Sequence, residues 1–194
     1  MDGVGHPNDE DHAEGKAALR ADFTSARRTR SAESIEQART AIRAVLLDRW
    51  RQALPNRVAA YVPLRTEPGS VELLDDLVAL GTTVLVPVLL DDLDLDWRLW
   101  GSEDATPTLT PSAIATVDVA LVPALAVAED GTRLGRGGGS YDRALARLPQ
   151  GRDVIALLYE DELVSVLPRD AWDRPVTVVV TPSGWRTLTR LDGE

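Results

Sequence analysis

An α/β fold, a single-domain three-layer open, mostly parallel sheet with helices on both faces, is predicted for this chain by three observations. Short, continuously apolar segments (RVAAYV, TTVLVPV, VDVALVP, DVIALL and VTVVVT) recur along the sequence, and a strand with no polar face is one covered on both sides. The stretches between them are long enough for the helical crossover that a parallel pair requires. At 194 residues the chain suits one core, because cores stop growing at larger sizes and divide.

The elements follow in order. Residues 1–14 hold Asp2, Asp9, Glu10, Asp11 and Glu14 with almost nothing apolar, so they are expected to be a disordered acidic tail, His6 and His12 included. The domain is then expected over residues 15–194. From Lys16 to Arg30, Leu19, Phe23 and Ala26 form one apolar stripe of a helix. Ser31 is placed to cap a second helix carrying Ile35, Ile42, Val45, Leu46 and Trp50, which ends near Pro55. After the strand Arg57 to Val62, Ser70 caps the helix VELLDDLVAL and Gly81 stops it at C′.

Thr82 to Val88 reads as a buried strand, Trp97 to Trp100 as an edge strand, and Val117 to Pro123 as another buried strand. A helix over Tyr141 to Leu148 and strands at Asp153 to Leu158 and Val176 to Thr181 complete the set. Trp97 and Trp100 belong in the core or at the sheet edge before any ligand slot.

Composition removes several functions. Cysteine is absent, which excludes disulfides, thiolate metal sites and cysteine nucleophiles and points to the cytoplasm. No apolar run reaches bilayer length, and the amino terminus is acidic where a signal peptide is basic. A formal net charge of -10 disfavours nucleic acid, for which Arg27, Arg28 and Arg30 form the single candidate cluster. The expected partner is a small molecule, with no nucleic acid and no membrane; a monomer is expected, although composition does not reveal the oligomeric state.

The most informative segment is Gly131 to Asp142 (GTRLGRGGGSYD), placed between the carboxyl end of a strand and a helix, where open α/β sheets bind ligands. Glycines let main-chain N–H groups approach an anion, while Arg133 and Arg136 add full charges. The spacing is neither a Walker A loop nor a dinucleotide fingerprint, since Ser140 stands where the last glycine would be. A surface loop with Ser140 as helix N-cap explains the same residues without a ligand. Asp142 suits a first helical turn for electrostatic reasons alone, and equally a magnesium ion beside phosphates.

Lys16 and Arg20, four residues apart, share one helix face and either meet a phosphate chain or are simply solvated. Sugar-phosphate isomerases, acyl-CoA-handling proteins and non-catalytic folate or nucleotide-binding regulators remain open on these grounds, because a glycine loop holds any phosphate.

The sequence RLGRGGGSYD resembles the R-L-G-R-G-x-G-Y-Y-D signature of 5-formyltetrahydrofolate cyclo-ligases. Lys16-Ala-Ala-Leu-Arg20 is similar to that family's amino-terminal K-x-x-L-R, and YVPLRTEPGS to its strand and acidic turn. DVALVPALAVAEDGTRLG and the late Leu167-Pro168 with Asp173 also resemble it.

The resemblance implies ATP contacts from Lys16, Arg20, Arg133, Leu134, Gly135, Arg136, Gly137, Gly138, Gly139, Ser140 and Tyr141. It implies reduced-folate contacts from Val62, Glu67, Arg136, Gly137, Gly138, Gly139 and Ser140, and Mg2+ near Asp142 and Asp173. Arg136 and Asp142 are the expected catalytic residues. Gly138, Ser140 and Ala124 depart from the family pattern, and Glu160 and Glu162 occupy a region where the family has glutamine.

Overall fold

The computed structural model describes residues 7–102 and 108–188, with backbone alone for 7–13. Its helices are α1 (Pro7–Thr29), α2 (Ala32–Trp50), α3 (Val71–Ala79) and α4 (Ser140–Leu145). The strands are β1 (Arg57–Ala59), β2 (Thr83–Leu89), β3 (Leu95–Leu99), β4 (Val119–Val122), β5 (Ala126–Ala128), β6 (Arg133–Leu134), β7 (Asp153–Leu157), β8 (Leu163–Val164), β9 (Val178–Thr181) and β10 (Gly184–Thr187). Short 3-10 turns lie at Pro111–Thr116 and Glu160–Glu162.

The main sheet has seven strands in the order β10-β9-β7-β4-β1-β2-β3. Its five inner strands are parallel, and β3 and β10 close the two edges antiparallel. Alternation along each strand explains the unbroken apolar runs. Ala59, Leu85, Ala120, Ala156 and Val179 face Ile114, Ala144 and Leu145 on one side. Val58, Val84, Leu121, Ile155 and Val180 face Ile42 and Leu46 of α2 and Leu73 and Leu77 of α3 on the other. Helices thus cover both faces, as the sequence predicts.

Helix ends follow local chemistry. Ser31 Oγ accepts the Ser34 N–H at 3.1 Å, and Ser70 Oγ accepts that of Leu73 at 3.2 Å. At the far end of α3, Gly81 has φ +96°, and the N–H groups of Gly81 and Thr82 donate to Val78 O and Leu77 O, both at 2.9 Å. Those two bonds make a Schellman stop, and glycine is needed there because a side chain resists positive φ.

Four features differ from the sequence reading. α1 begins at Pro7, so residues 7–14 of the acidic segment expected to be disordered are helical backbone; residues 1–6 of that tail lie outside the described residues. The cause is cooperative extension: once Leu19 and Phe23 dock, each further turn adds hydrogen bonds without a new nucleus. Proline in the first turn and acids at the positive end of the dipole favour it further.

Second, a three-stranded sheet β6-β5-β8 exists, against which Leu19 and Phe23 pack with Leu125, Ala126, Leu134 and Leu167. Third, β10 pairs as a hairpin with β9. Fourth, α4 is six residues long with Gly139, not Ser140, at its N-cap and no side-chain cap bond. Among the described residues no helix is long and apolar enough to cross a membrane.

The β2–β3 hairpin is latched to the segment after α4: Arg147 Nη1 donates to Asp94 Oδ1 at 3.0 Å, and Nη2 to Oδ2. The Arg147 hydrogen bond holds the Asp94 carboxyl below the usual carboxylate range, although burial opposes it. A depressed folded-state pKa gives stability that is present above the unfolded value and lost as pH falls through the folded one. We expect acid melts below the ordinary aspartate range, about pH 4, to lower the Tm of wild type more steeply than that of Arg147→Met. Parallel slopes would remove this pair from the acid response.

Candidate active site

The chain reverses its winding between β1 and β4, which are neighbours although β2 and β3 lie beyond one and β7, β9 and β10 beyond the other. At such a switch point the loops leaving two adjacent strands diverge and leave a crevice. A cavity of about 480 Å³ opens there, walled by Pro123, Ala124 and Leu125 after β4, by the glycine loop before α4, and by α1.

The glycine loop is braced from outside. Arg20 Nε donates to Gly135 O at 3.0 Å, and Arg143 Nη2 donates to Gly138 O at 3.1 Å and to Leu93 O at 3.0 Å. Gly137 has φ +101°, so this turn favours glycine for its torsion. No N–H from Arg136 to Ser140 has a backbone acceptor among the described residues. These N–H groups are thus left without main-chain partners on a loop that lines the cavity.

Arg133 and Asp142 form an ion pair at 3.0 Å under the loop, with side chains 4% and 20% exposed. Arg133 Nη1 also donates to Pro123 O at 3.2 Å, and its guanidinium lies 5.9 Å from the Tyr141 ring centre. Its buried Nε has no partner among the described residues. The Oδ1 of Asp142 that meets Arg133 also accepts the Arg174 N–H at 3.1 Å. Burial raises the phenol pKa values of both Tyr141 and Tyr61. Both stay protonated at neutral pH and neither is a base.

On another wall Lys16 Nζ donates to Asp170 Oδ2 at 2.7 Å and to Asp173 Oδ2 at 2.6 Å. Burial opposes the charge of Lys16, but its two carboxylate partners outweigh that and raise its pKa. Glu67 is 4% exposed; its Oε2 accepts the Leu64 N–H at 2.8 Å and its Oε1 faces Arg136 Nη2 at 3.4 Å. The loop carrying Glu67 is tied down by Arg39, which donates to the carbonyls of Leu64, Arg65 and Glu67, and by Tyr159 Oη on Thr66 O at 3.1 Å. The Arg136 side chain remains 53% exposed and so has room to swing onto a ligand.

Of the residues expected at the site, Lys16, Arg20, Glu67, Arg133 to Asp142 and Asp173 all line this cavity. Val62 does not: it is 42% exposed and outside the lining, because the chain turns away after β1 and presents Glu67 instead. Sequence reasoning missed Arg27, Asp170 and Trp172, which also line it.

Arg27 is 2% exposed, donates from Nε and Nη2 to the two oxygens of Glu162 at 2.7 Å, and caps Ala124 O at 2.7 Å. Burial opposes its charge, and the Glu162 bonds overcome this and keep the guanidinium protonated. Arg30 pairs with Asp161 and lies 3.9 Å above the Tyr159 ring. This part of the basic cluster is thus engaged within the fold. Trp97 is buried in the core, and Trp100 Nε1 donates to Asp75 at 2.8 Å.

Fold and cavity define an open-sheet α/β protein with a cavity at its switch point, lined by a glycine loop and by arginine and lysine side chains. Residues 12–182 match the 5-formyltetrahydrofolate cyclo-ligase family, and the chain belongs to that family.

The 5-formyltetrahydrofolate cyclo-ligase of Mycolicibacterium smegmatis is 42% identical over 141 residues, which is 64% of this chain and 73% of that protein. The cyclo-ligase of Haemophilus influenzae is 26% identical over 175 residues, covering 81% and 89%. The solved 5,10-methenyltetrahydrofolate synthetase of Mycoplasma pneumoniae superposes with a TM-score of 0.75 over 86% of this chain and 98% of that one, and at 22% identity it speaks for the fold. That of Aquifex aeolicus gives 0.69 at 26% identity over 92% and 94%.

Proposed function

We propose that this chain, as one α/β domain over residues 15–194, cyclises 5-formyltetrahydrofolate to 5,10-methenyltetrahydrofolate at the expense of ATP, releasing ADP and phosphate. The observation that carries the reading is the convergence of the glycine-loop amides, Arg136 and Glu67 on one cavity in a chain of this family. The absence of cysteine agrees with a cytoplasmic setting.

In the proposed course the γ-phosphoryl group passes to the formyl oxygen, N10 attacks the activated carbon and loses its proton, and the C–O bond breaks with departure of phosphate. Such a transfer needs positioning and charge stabilisation more than covalent help. The loop amides and Arg136 hold the transferred group, Lys16, Arg20 and Arg133 hold the rest of the polyphosphate, and Glu67 orients the pterin through hydrogen bonds. No side chain is asked to act as nucleophile.

Asp142 and Asp173 suit magnesium, since among the described residues each commits only one oxygen, Oδ1 of Asp142 and Oδ2 of Asp173, to protein donors. The second oxygen is a hard donor of the kind this ion takes together with phosphate oxygens. Held by these two carboxylates, Mg2+ would supply neutralisation of phosphate charge.

Mixing the protein with ATP, magnesium and 5-formyltetrahydrofolate is expected to produce a growing methenyltetrahydrofolate absorbance that requires all three. A flat trace beside an active control enzyme would reject catalysis.

A further inference from the structure

Trp172 is 71% exposed and at the same time forms part of the cavity wall. A single exposed indole is ordinary on a protein surface, but one that also lines a cavity offers its face to whatever enters, and the faces of large aromatic side chains are the natural platform for flat rings. The turn that carries it is held from several directions. Asp173 N donates to Asp170 O at 3.1 Å, Asp170 N donates to Asp173 Oδ2 at 2.9 Å, and both carboxylates grip Lys16 of α1. One residue further on, Arg174 N donates to Asp142. The indole therefore stands on an anchored support at the cavity wall.

We infer that Trp172 is the stacking platform for the purine base of the nucleotide. The deduction rests on the proposed ATP-dependent reaction and deepens it by assigning the base an address. Connectivity selects the base over the pterin: the Trp172 turn is bonded to Lys16 and Asp142, which are assigned to the polyphosphate and its ion. Glu67, assigned to the pterin, is bonded instead to Leu64 and Arg136. Stacking reads a π face and no hydrogen-bond pattern, so it adds affinity with little choice among purines.

The test compares ATP, inorganic tripolyphosphate and 5-formyltetrahydrofolate, each with magnesium, by calorimetry on wild type, Trp172→Leu and Trp172→Phe. Trp172→Leu is expected to weaken ATP binding roughly tenfold to hundredfold, the range for losing one base stack, and to leave tripolyphosphate and folate binding unchanged. Trp172→Phe keeps a ring and should stay within about threefold of wild type. The exposure of the indole means that neither change opens a hole in the core.

Unchanged ATP binding in Trp172→Leu, an equal loss for ATP and tripolyphosphate, or a loss falling on the folate alone would each overturn the assignment. Wild type that turns over with ATP while Trp172→Leu binds it normally would overturn this assignment and leave the proposed reaction standing. Wild type that binds no ATP would overturn both.

Discussion

Replacing Arg136 by alanine is expected to lower kcat by about 10²- to 10³-fold, the usual effect of deleting one preorganised donor to developing charge, with the melting temperature almost unchanged. The asymmetry comes from the environment of the side chain. Arg136 is 53% exposed and among the described residues its one ionic contact, to Glu67, is long at 3.4 Å, so the fold draws little from it. In the proposed reaction the same guanidinium meets the transferred phosphoryl group, where charge builds. Steady-state kinetics beside thermal melts check both halves. Normal kcat in Arg136→Ala would exclude the residue from transition-state stabilisation. Asp142 is a poorer probe, since it also anchors Arg133 and Arg174 N and its loss mixes catalysis with folding.

Arg27→Met is expected to act in the opposite way, through stability. Arg27 and Glu162 have side chains 2% exposed each, and Glu162 also accepts the Tyr159 N–H at 3.0 Å. Removing one member of a buried pair strands the other charge, which costs about 3–5 kcal/mol. For a chain of this size that is a fall in Tm on the order of 10 °C. The double variant Arg27→Met with Glu162→Leu should recover much of the loss, because a buried pair replaced by apolar groups is often close to neutral. Chemical denaturation of wild type, both single variants and the double variant closes the cycle. Equal destabilisation of Arg27→Met and the double variant would show that Arg27 acts through its bond to Ala124 O rather than through Glu162.

The two experiments separate residues that look alike in the sequence. Arg27 lies in a basic helical cluster and Arg136 in a glycine-rich loop, and nothing local tells that the first is a buried strut and the second an exposed contact. Their burial follows from what lies across the fold: Glu162 and Ala124 meet Arg27 over separations of 135 and 97 residues.

Several features were legible in the chain because their causes are local. Continuous apolar runs mark strands covered on both faces, Ser31, Ser70 and Gly81 mark helix ends, and the glycine-rich segment after β4 marks the loop that lines the cavity. Each depends on torsion, capping or periodicity within a few residues. The resemblance carried by RLGRGGGSYD and its flanking motifs added the family and, with it, most of the cavity's residues.

Other features were decided only by tertiary structure. Strands of two or three residues such as β6 and β8 have no periodicity of their own and exist because β5 offers them an edge. Residues 7–14 carry a disordered composition, yet their backbone continues a helix whose later turns are docked on that small sheet. Lys16 finds Asp170 and Asp173 across 154 and 157 residues, and Val62 gives way to Glu67 through the course of a loop. By itself, then, the sequence determined the layered α/β class, the helix ends and the glycine cradle, which arise from short-range forces. Which charges are buried, which are paired and which face the cavity was settled by chain closure, because those energies depend on partners that only the fold brings near.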